Sequence, residues 1–186
     1  MSEDVHILQR LQSRLSNINE TVGRAISWLT LLMVIVTFLV VVLRYAFNLG
    51  WIAMQESVTY MHALVFLLGA AYTLKHDGHV RVDIFYRRLG PRGQAWVDLL
   101  GALLLLWPVC IYISWVSWDY VASSWQVREA SGEAGGLPGV YLLKSTIVLM
   151  TALVAVQGTV QVLRSILVLR GIGAAGGHDG ESSREL

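Results

Sequence analysis

The sequence has little charge and a single cysteine, and each scarcity excludes a class of protein. Only 15% of its 186 residues are charged while 55% are hydrophobic, which is too apolar for an ordinary soluble domain of this size. The formal net charge is +1, so no overall basic excess indicates a nucleic-acid partner. Because Cys110 has no second cysteine to pair with, an intramolecular disulfide is excluded. The composition therefore indicates a membrane protein.

Four apolar runs have about the length that crosses a bilayer core. They cover residues 25–43, 52–74, 96–118 and 141–168, approximately. The first 23 residues include Glu3, Asp4 and Glu20 and lack a compact apolar core before a cleavage site, so we expect no cleaved signal peptide. We predict an all-α integral membrane protein with four transmembrane helices over residues 25–168. Residues 1–24 are predicted to be a cytoplasmic amphipathic segment, and residues 169–186 a disordered cytoplasmic tail.

The distribution of basic residues predicts the orientation of the chain. Eleven of the 14 lysines and arginines would lie on one side of the membrane, and Arg44, Arg128 and Lys144 on the other. Since basic residues are retained in the cytoplasm, both termini and the loop between the second and third runs are predicted to be cytoplasmic.

An apolar stripe precedes the first run. Its residues recur at spacings of three and four and are Leu8, Leu11, Leu15, Ile18 and Val22. This spacing predicts an amphipathic helix along the inner leaflet. A coiled coil is the alternative, but the stripe covers barely two heptads before the membrane run begins.

The stretch "KHDGHVRVDIF", residues 75–85, is rich in histidine and aspartate and so raises the possibility of a metal site. The spacing of His76 and His79 fits no zinc signature, and Gly78 interrupts the helical face that such ligation would use. We therefore predict a turn at the head-group boundary. It would lead into a short cytoplasmic interfacial helix within "VDIFYRRLG", which ends near Pro91.

Within this turn, three side chains are candidates for organising the junction. His79 or Arg81 is expected to donate to the last carbonyls of the second span, and Asp83 to cap the amides of the helix that follows. Lys75 is expected to reach lipid phosphates, which makes membrane lipids a predicted partner.

Polar residues inside the runs are informative because charge is costly in hydrocarbon. Glu56 is expected to be an interfacial carboxylate, either paired with Arg44 across a short loop or in contact with another polypeptide. Gln157 and Gln161 share one helical face and are expected to form interhelical hydrogen bonds.

Motifs for catalysis or cofactor binding are missing from the sequence. His62 is the only histidine inside a run, so bis-histidine haem ligation within one chain is improbable. We find no glycine-rich phosphate loop, no Ser-His-Asp order and no cysteine pair. We therefore expect no enzymatic activity, no catalytic residue, and no cofactor or metal in this chain.

Several short motifs occur in a characteristic order. They are Arg44-Tyr45 with Phe47 at the end of the first run, Trp51 and Glu56 at the start of the second, Gly69 within it, and "GHVRVD" after it. In this order the chain resembles the small membrane subunit, of the DctQ type, of tripartite ATP-independent periplasmic (TRAP) transporters. Gln55 departs from the resemblance, because many relatives carry a second acidic residue there.

The resemblance implies partners and a role. The chain would lie in the bacterial inner membrane beside a large TRAP membrane subunit that carries the solute and sodium sites, and a periplasmic solute-binding protein would deliver an organic acid. It would be a scaffold that does not transport alone. The residues expected to serve structure or the partner interface are Arg44, Trp51, Glu56, Gly69, His79, Arg81, Asp83 and Gln157. A stand-alone four-span channel or exporter and the membrane anchor of a redox complex are the alternatives.

Overall fold

The computed structural model describes residues 2–80 and 83–172, and every regular element in these two ranges is helical. The elements are α1 (Ser2–Ala46), α2 (Ile52–Lys75), α3 (Asp83–Tyr86), α4 (Pro91–Gly101), a π-helical turn (Ala102–Leu106), α5 (Trp107–Gln126) and α6 (Val140–Leu169).

Four helical segments are long and apolar enough to cross a membrane, which confirms the predicted fold class. They are His6–Ala46, Ile52–Lys75, Pro91–Gln126 and Val140–Leu169. The third segment runs through α4, the π turn and α5. It begins with Pro91 in its first turn, where the missing proline N–H has no intrahelical partner to lose. The chain is thus a multi-pass membrane protein.

The last helix, α6, is the centre of the bundle. It contacts α1, α2, α4 and α5. Its buried residues recur along its length and are Thr146, Thr151, Leu153, Gln157, Gly158, Val160, Ser165 and Leu167. Leu153 forms an apolar cluster with Leu68 and Ala71 of α2, against which Val22 and Ile26 of α1 pack. The core therefore depends on the helix that is last in the sequence.

The surface of the bundle is apolar and its interior is partly polar. Trp28, Phe66 and Trp115 are each more than 70% exposed. By contrast, the largest fully buried side chains of the described residues are Asn19, Thr151 and Ser124. This inversion is typical of helices that face lipid or another membrane protein on the outside and satisfy polar groups on the inside.

The amphipathic segment and the first span form one helix, whereas the sequence predicted a separate surface helix for residues 1–24. Helix α1 continues without a break from Ser2 to Ala46. From the predicted apolar stripe, Leu11 and Ile18 are almost half exposed, while Asn19 and Gly23 face the bundle. No proline interrupts this region, so the helix can continue. Whether its N-terminal part lies along the inner leaflet stays a prediction.

Gly23 permits a close approach of α1 to Tyr72 of α2. A Cβ atom at this position would lie 2.1 Å from Cδ2 and 2.7 Å from Cβ of Tyr72. Because Cβ of Tyr72 is fixed by the α2 backbone, a larger residue at position 23 requires the two helices to separate.

Helix α2 ends at Lys75, and the left-handed position after it is occupied by Asp77 and not by the neighbouring Gly78. Asp77, with φ of 51°, takes the left-handed conformation, and the N–H groups of Asp77 and Gly78 donate to the carbonyls of Leu74 and Thr73. This is the Schellman arrangement, in which the left-handed position is usually glycine but tolerates aspartate.

The predicted interfacial helix is reduced to the single turn α3, and α4 begins five residues after α3 ends. Ile84 and Phe85 of α3 are exposed. Arg81 lies outside the described residues, as does the side chain of Asp83, so their predicted capping roles stay predictions. Residues 173–186, most of the predicted tail, also lie outside them.

Candidate functional site

Glu56, in the first turns of α2, binds the loop between α5 and α6. Its carboxylate accepts a hydrogen bond from the hydroxyl of Ser131 and another, of 2.6 Å, from the backbone N–H of Leu137. The loop is closed on itself at the same place, because the N–H of Ser131 donates to the carbonyl of Leu137 over 3.0 Å. We call Glu56, Ser131 and Leu137 the loop anchor. Of the two expectations for Glu56, it corrects the pairing with Arg44, which is exposed at the end of α1, and contact with another polypeptide stays a prediction.

Gly136 allows the loop anchor to form. A Cβ atom at position 136 would lie 2.4 Å from Oγ of Ser131 and 2.8 Å from Oε1 of Glu56. Any side chain here would therefore displace the carboxylate or the hydroxyl. The loop sequence "GEAGGLPG" supplies glycine at the position where the backbone must pass closest to the carboxylate.

Charged and aromatic groups hold the start of the same loop against α6. The Lys144 ammonium lies 2.5 Å from Oε2 of Glu129 and 3.9 Å from the ring centroid of Tyr120. The hydrogen bond from Lys144 holds the pKa of the Glu129 carboxyl below its ordinary value. The Arg128 guanidinium lies 5.7 Å from the ring centroid of Trp125, within the range of a cation–π contact.

A second charged cluster lies at the opposite end of α2. Glu20 of α1 accepts hydrogen bonds from Arg24 and Lys75, both at 2.8 Å, and lies 3.0 Å from Nε2 of His76. Lys75 also donates to the carbonyl of Ser16 over 3.2 Å. We call Glu20, Arg24, Lys75 and His76 the Glu20 cluster. It corrects the expectation that Lys75 reaches lipid phosphates, because its ammonium is bound by α1.

Asn19, beside the Glu20 cluster, joins α1 to α6. Its Nδ2 donates to Oε1 of Gln157 over 3.0 Å and approaches the carbonyl of Leu153 at 3.4 Å. This is the interhelical hydrogen bond expected of Gln157. Both side chains are buried, so the Asn19 N–H and the Gln157 oxygen satisfy each other in an apolar setting.

The other predicted residues are dispersed over the bundle. Trp51 precedes α2 and is 67% exposed. A Cβ atom at Gly69 would lie in ordinary contact with Ile26 of α1, at 3.7 Å. His79 brings Nε2 to 3.3 Å from the carbonyl of Ala70, one turn deeper in α2 than the carbonyls it was expected to bind. The structure thus brings Glu56 and Gln157 into contacts but at different ends of the bundle, and it forms no single site from the predicted set within the described residues.

Three functional residues were not predicted. Asn19 and Glu20 lie in the predicted amphipathic segment, residues 1–24, and no role was predicted for Ser131. Glu20 carried a usable signal, because Arg24 is four residues further on. Asn19 and Ser131 carried no comparable signal, because their partners are 138 and 75 residues away.

The arrangement is suited to holding helices and a loop in place. Within residues 2–80 and 83–172, no group of three histidine, cysteine, aspartate or glutamate side chains could hold a metal ion. The carboxylates of the loop anchor and of the Glu20 cluster are each bound by donors from a distant part of the chain. These contacts can set the relative positions of α1, α2 and the 127–139 loop.

Comparison with known proteins gives one family match and a curated relative. The family model described as "Tripartite ATP-independent periplasmic transporters, DctQ component" matches residues 33–168, which is more than half of the chain. A Haemophilus influenzae protein with the provisional name TRAP transporter small permease protein is 34% identical over 92 residues. That alignment covers 47% of this chain and 56% of the relative. No solved structure matches the chain.

Proposed function

The chain belongs to the DctQ component family of tripartite ATP-independent periplasmic transporters, and on this premise we propose that it is the small permease subunit of such a transporter. Members of this family are components of a transporter and not enzymes. The observation that carries the proposal is the extent of the match, which runs from within α1 to the end of α6 and so includes all or part of every candidate span. The Haemophilus influenzae relative, which is provisionally named a TRAP transporter small permease protein, supports the same role.

In this role the chain acts with two partners, a large TRAP membrane subunit and a periplasmic solute-binding protein. The large subunit carries the solute and sodium sites, and this chain widens and stiffens the stationary part of the carrier. Two observations support a scaffold role. Large apolar side chains are exposed on α1, α2 and α5, and the polar contacts of the loop anchor and of Asn19 join elements of the bundle to one another. The cargo proposed is an organic acid, driven by a sodium gradient.

The proposed location is the bacterial inner membrane with both termini in the cytoplasm. In this orientation the loop anchor lies on the periplasmic side, where the binding protein docks, and the Glu20 cluster lies on the cytoplasmic side. The distribution of lysine and arginine supports it, since 11 of the 14 fall on the cytoplasmic side.

Reconstitution tests the proposal. We expect sodium-driven uptake of an organic acid only when proteoliposomes contain this chain together with a large TRAP membrane subunit, and when the binding protein is added. Proteoliposomes with this chain alone should show no uptake. Uptake by the chain alone would refute the scaffold role and indicate a stand-alone carrier. Full uptake by the large subunit without this chain would show that the chain is not needed for transport.

A further inference from the structure

One face of α2 carries polar side chains that point out of the bundle. The exposed residues on this face begin with Trp51, just before the helix, and recur at spacings of four, four, three and four. They are Trp51, Gln55, Thr59, His62 and Phe66. We call them the α2 stripe. The buried residues of the same helix, Met61, Leu68 and Ala71, lie on the opposite face.

Measured from a start of α2 at the edge of the bilayer core, the α2 stripe extends towards the middle of the membrane. His62 is ten residues from the first residue of α2, which places it about 15 Å along the helix. This is close to half of a bilayer core of about 30 Å. Thr59 lies about 10 Å along the helix by the same measure. The polar groups at positions 59 and 62 are therefore too deep to reach the head groups from the start of the helix.

No partner in the described chain satisfies these groups. Within residues 2–80 and 83–172, the Gln55 amide, the Thr59 hydroxyl and the His62 ring make no hydrogen bond, and the one ring contact of His62 is with Phe66, at 6.3 Å between centroids. An imidazole or an amide in hydrocarbon needs a hydrogen-bonding partner, which lipid tails cannot supply.

Some exposed hydroxyls elsewhere in the spans are satisfied by their own helix. The hydroxyl of Thr37, which also points away from the bundle, donates to the carbonyl of Met33 over 2.7 Å. Ser27 likewise donates to the carbonyl of Arg24. Hydroxyls can be satisfied in this way by their own helix, but a histidine ring and a glutamine amide cannot complete their hydrogen bonding there. The Gln55 amide and the His62 ring of the α2 stripe therefore require a neighbour outside their own helix.

We infer that the α2 stripe is the surface on which a transmembrane helix of the large subunit packs, and that His62 forms a hydrogen bond to it near the middle of the membrane. The inference rests on the proposed function, since it takes the large subunit as the partner. The partner helix should present a hydrogen-bonding side chain at the depth of His62 and small residues beside Phe66. The assignment of the α2 stripe adds to the proposed role, because it places the interface with the large subunit on one face of one helix.

Photo-crosslinking in the intact complex tests the inference. The chain is co-expressed with its large subunit, and a photoreactive amino acid replaces the residue at position 62, 66 or 109. Val109 is the matched control, because it is 53% exposed and lies near the middle of the third span. We expect adducts with the mass of both subunits from positions 62 and 66, several-fold stronger than from position 109.

A pair of substitutions gives a second readout. His62→Leu should lower the amount of large subunit that co-purifies several-fold, whereas His62→Gln should keep it near the wild-type amount because the amide can still form a hydrogen bond. Leucine is favoured at a lipid-facing position, so a folding defect of the isolated chain would not explain the loss.

The remaining outcomes overturn the inference in distinguishable ways. Adducts between two copies of this chain would assign the α2 stripe to self-association. Equal yields from positions 62 and 109, or none from 62 and 66 while the large subunit still co-purifies, would move the interface elsewhere and leave the proposed function intact. Failure of the wild-type chain to co-purify with the large subunit would overturn both.

Discussion

Asn19 of α1 donates a hydrogen bond to Gln157 of α6 across 138 positions of sequence, and both side chains are at least 94% buried. Their contact ties the N-terminal half of α1 to the central helix. Asn19 lies outside residues 33–168, the part of the chain that the family model matches, whereas Gln157 lies inside it.

Replacing Gln157 with leucine should destabilise the bundle, because the Asn19 amide would lose its side-chain acceptor in a buried position. We expect a loss of about 1–2 kcal/mol in the free energy of unfolding, measured by chemical denaturation in detergent micelles. Gln161→Leu is the control, since Gln161 makes no hydrogen bond to the described residues. Adding Asn19→Leu to Gln157→Leu should cost less than the sum of the two single changes. Strict additivity would show that the contact is not coupled.

Glu56→Ala should release the 127–139 loop. The loop would lose the hydrogen bonds that Ser131 and Leu137 donate to the carboxylate, so we expect local opening of the loop to become more frequent. Trypsin cleavage after Arg128 in detergent measures this opening, since Arg128 is exposed at the start of the loop. Glu133→Ala removes an exposed carboxylate from the same loop and should leave the cleavage rate near wild type. Equal rates for the two variants would refute the loop anchor.

The Glu129–Lys144 pair should make the stability of the bundle sensitive to acid. Because the pKa of Glu129 is lowered in the folded chain by the Lys144 ammonium, its contribution is present above the ordinary glutamate pKa of about 4.3 and is lost as the pH falls through the lowered value. Thermal unfolding followed by tryptophan fluorescence from pH 7 to pH 3 should show a shallower decline for Glu129→Gln than for wild type. Glu133→Gln should retain the wild-type decline, and matching curves for all three proteins would exclude a role for the pair.

Gly23→Ala should separate α1 from α2. The new methyl group would overlap the Tyr72 side chain, and overpacking of this kind costs about 1–3 kcal/mol. Gly90→Ala is the matched control, since nothing lies within 4 Å of a Cβ atom at that position and its φ of −68° suits alanine. The midpoint of thermal unfolding should fall for the first variant and stay nearly constant for the second.

Cysteine labelling tests the orientation. In a Cys110→Ala background, a membrane-impermeant maleimide added from the periplasmic side should modify Glu133→Cys and spare Ser13→Cys. Both positions are exposed, so access depends on the side of the membrane on which each lies. Labelling of position 13 alone would invert the proposed topology.

The long helices were predictable because each depends on a local property, a run of about 20 apolar residues. The ends of the helices were less predictable: the left-handed residue after α2 is Asp77, although the glycine that usually takes this position is its neighbour Gly78. The contacts of the candidate site were hardest to predict. Whether Glu56 meets Arg44 or Ser131 depends on how the α5–α6 loop folds over the start of α2, and no spacing within either segment reports that. The burial of Asn19 was equally unpredictable, because it depends on which side of α1 packs against α6.

The central place of α6 has a consequence for biosynthesis. The ribosome completes α1, α2 and the α4–α5 segment before the residues of α6 have left it. Until Leu153 and Gln157 arrive in the membrane, the Asn19 amide has no side-chain acceptor, and the inner faces of the earlier helices lack their common contact surface. The nascent chain therefore passes through a period in which three inserted helices are incompletely packed. During that period it is open to membrane chaperones and proteases, and insertion of the last helix ends it.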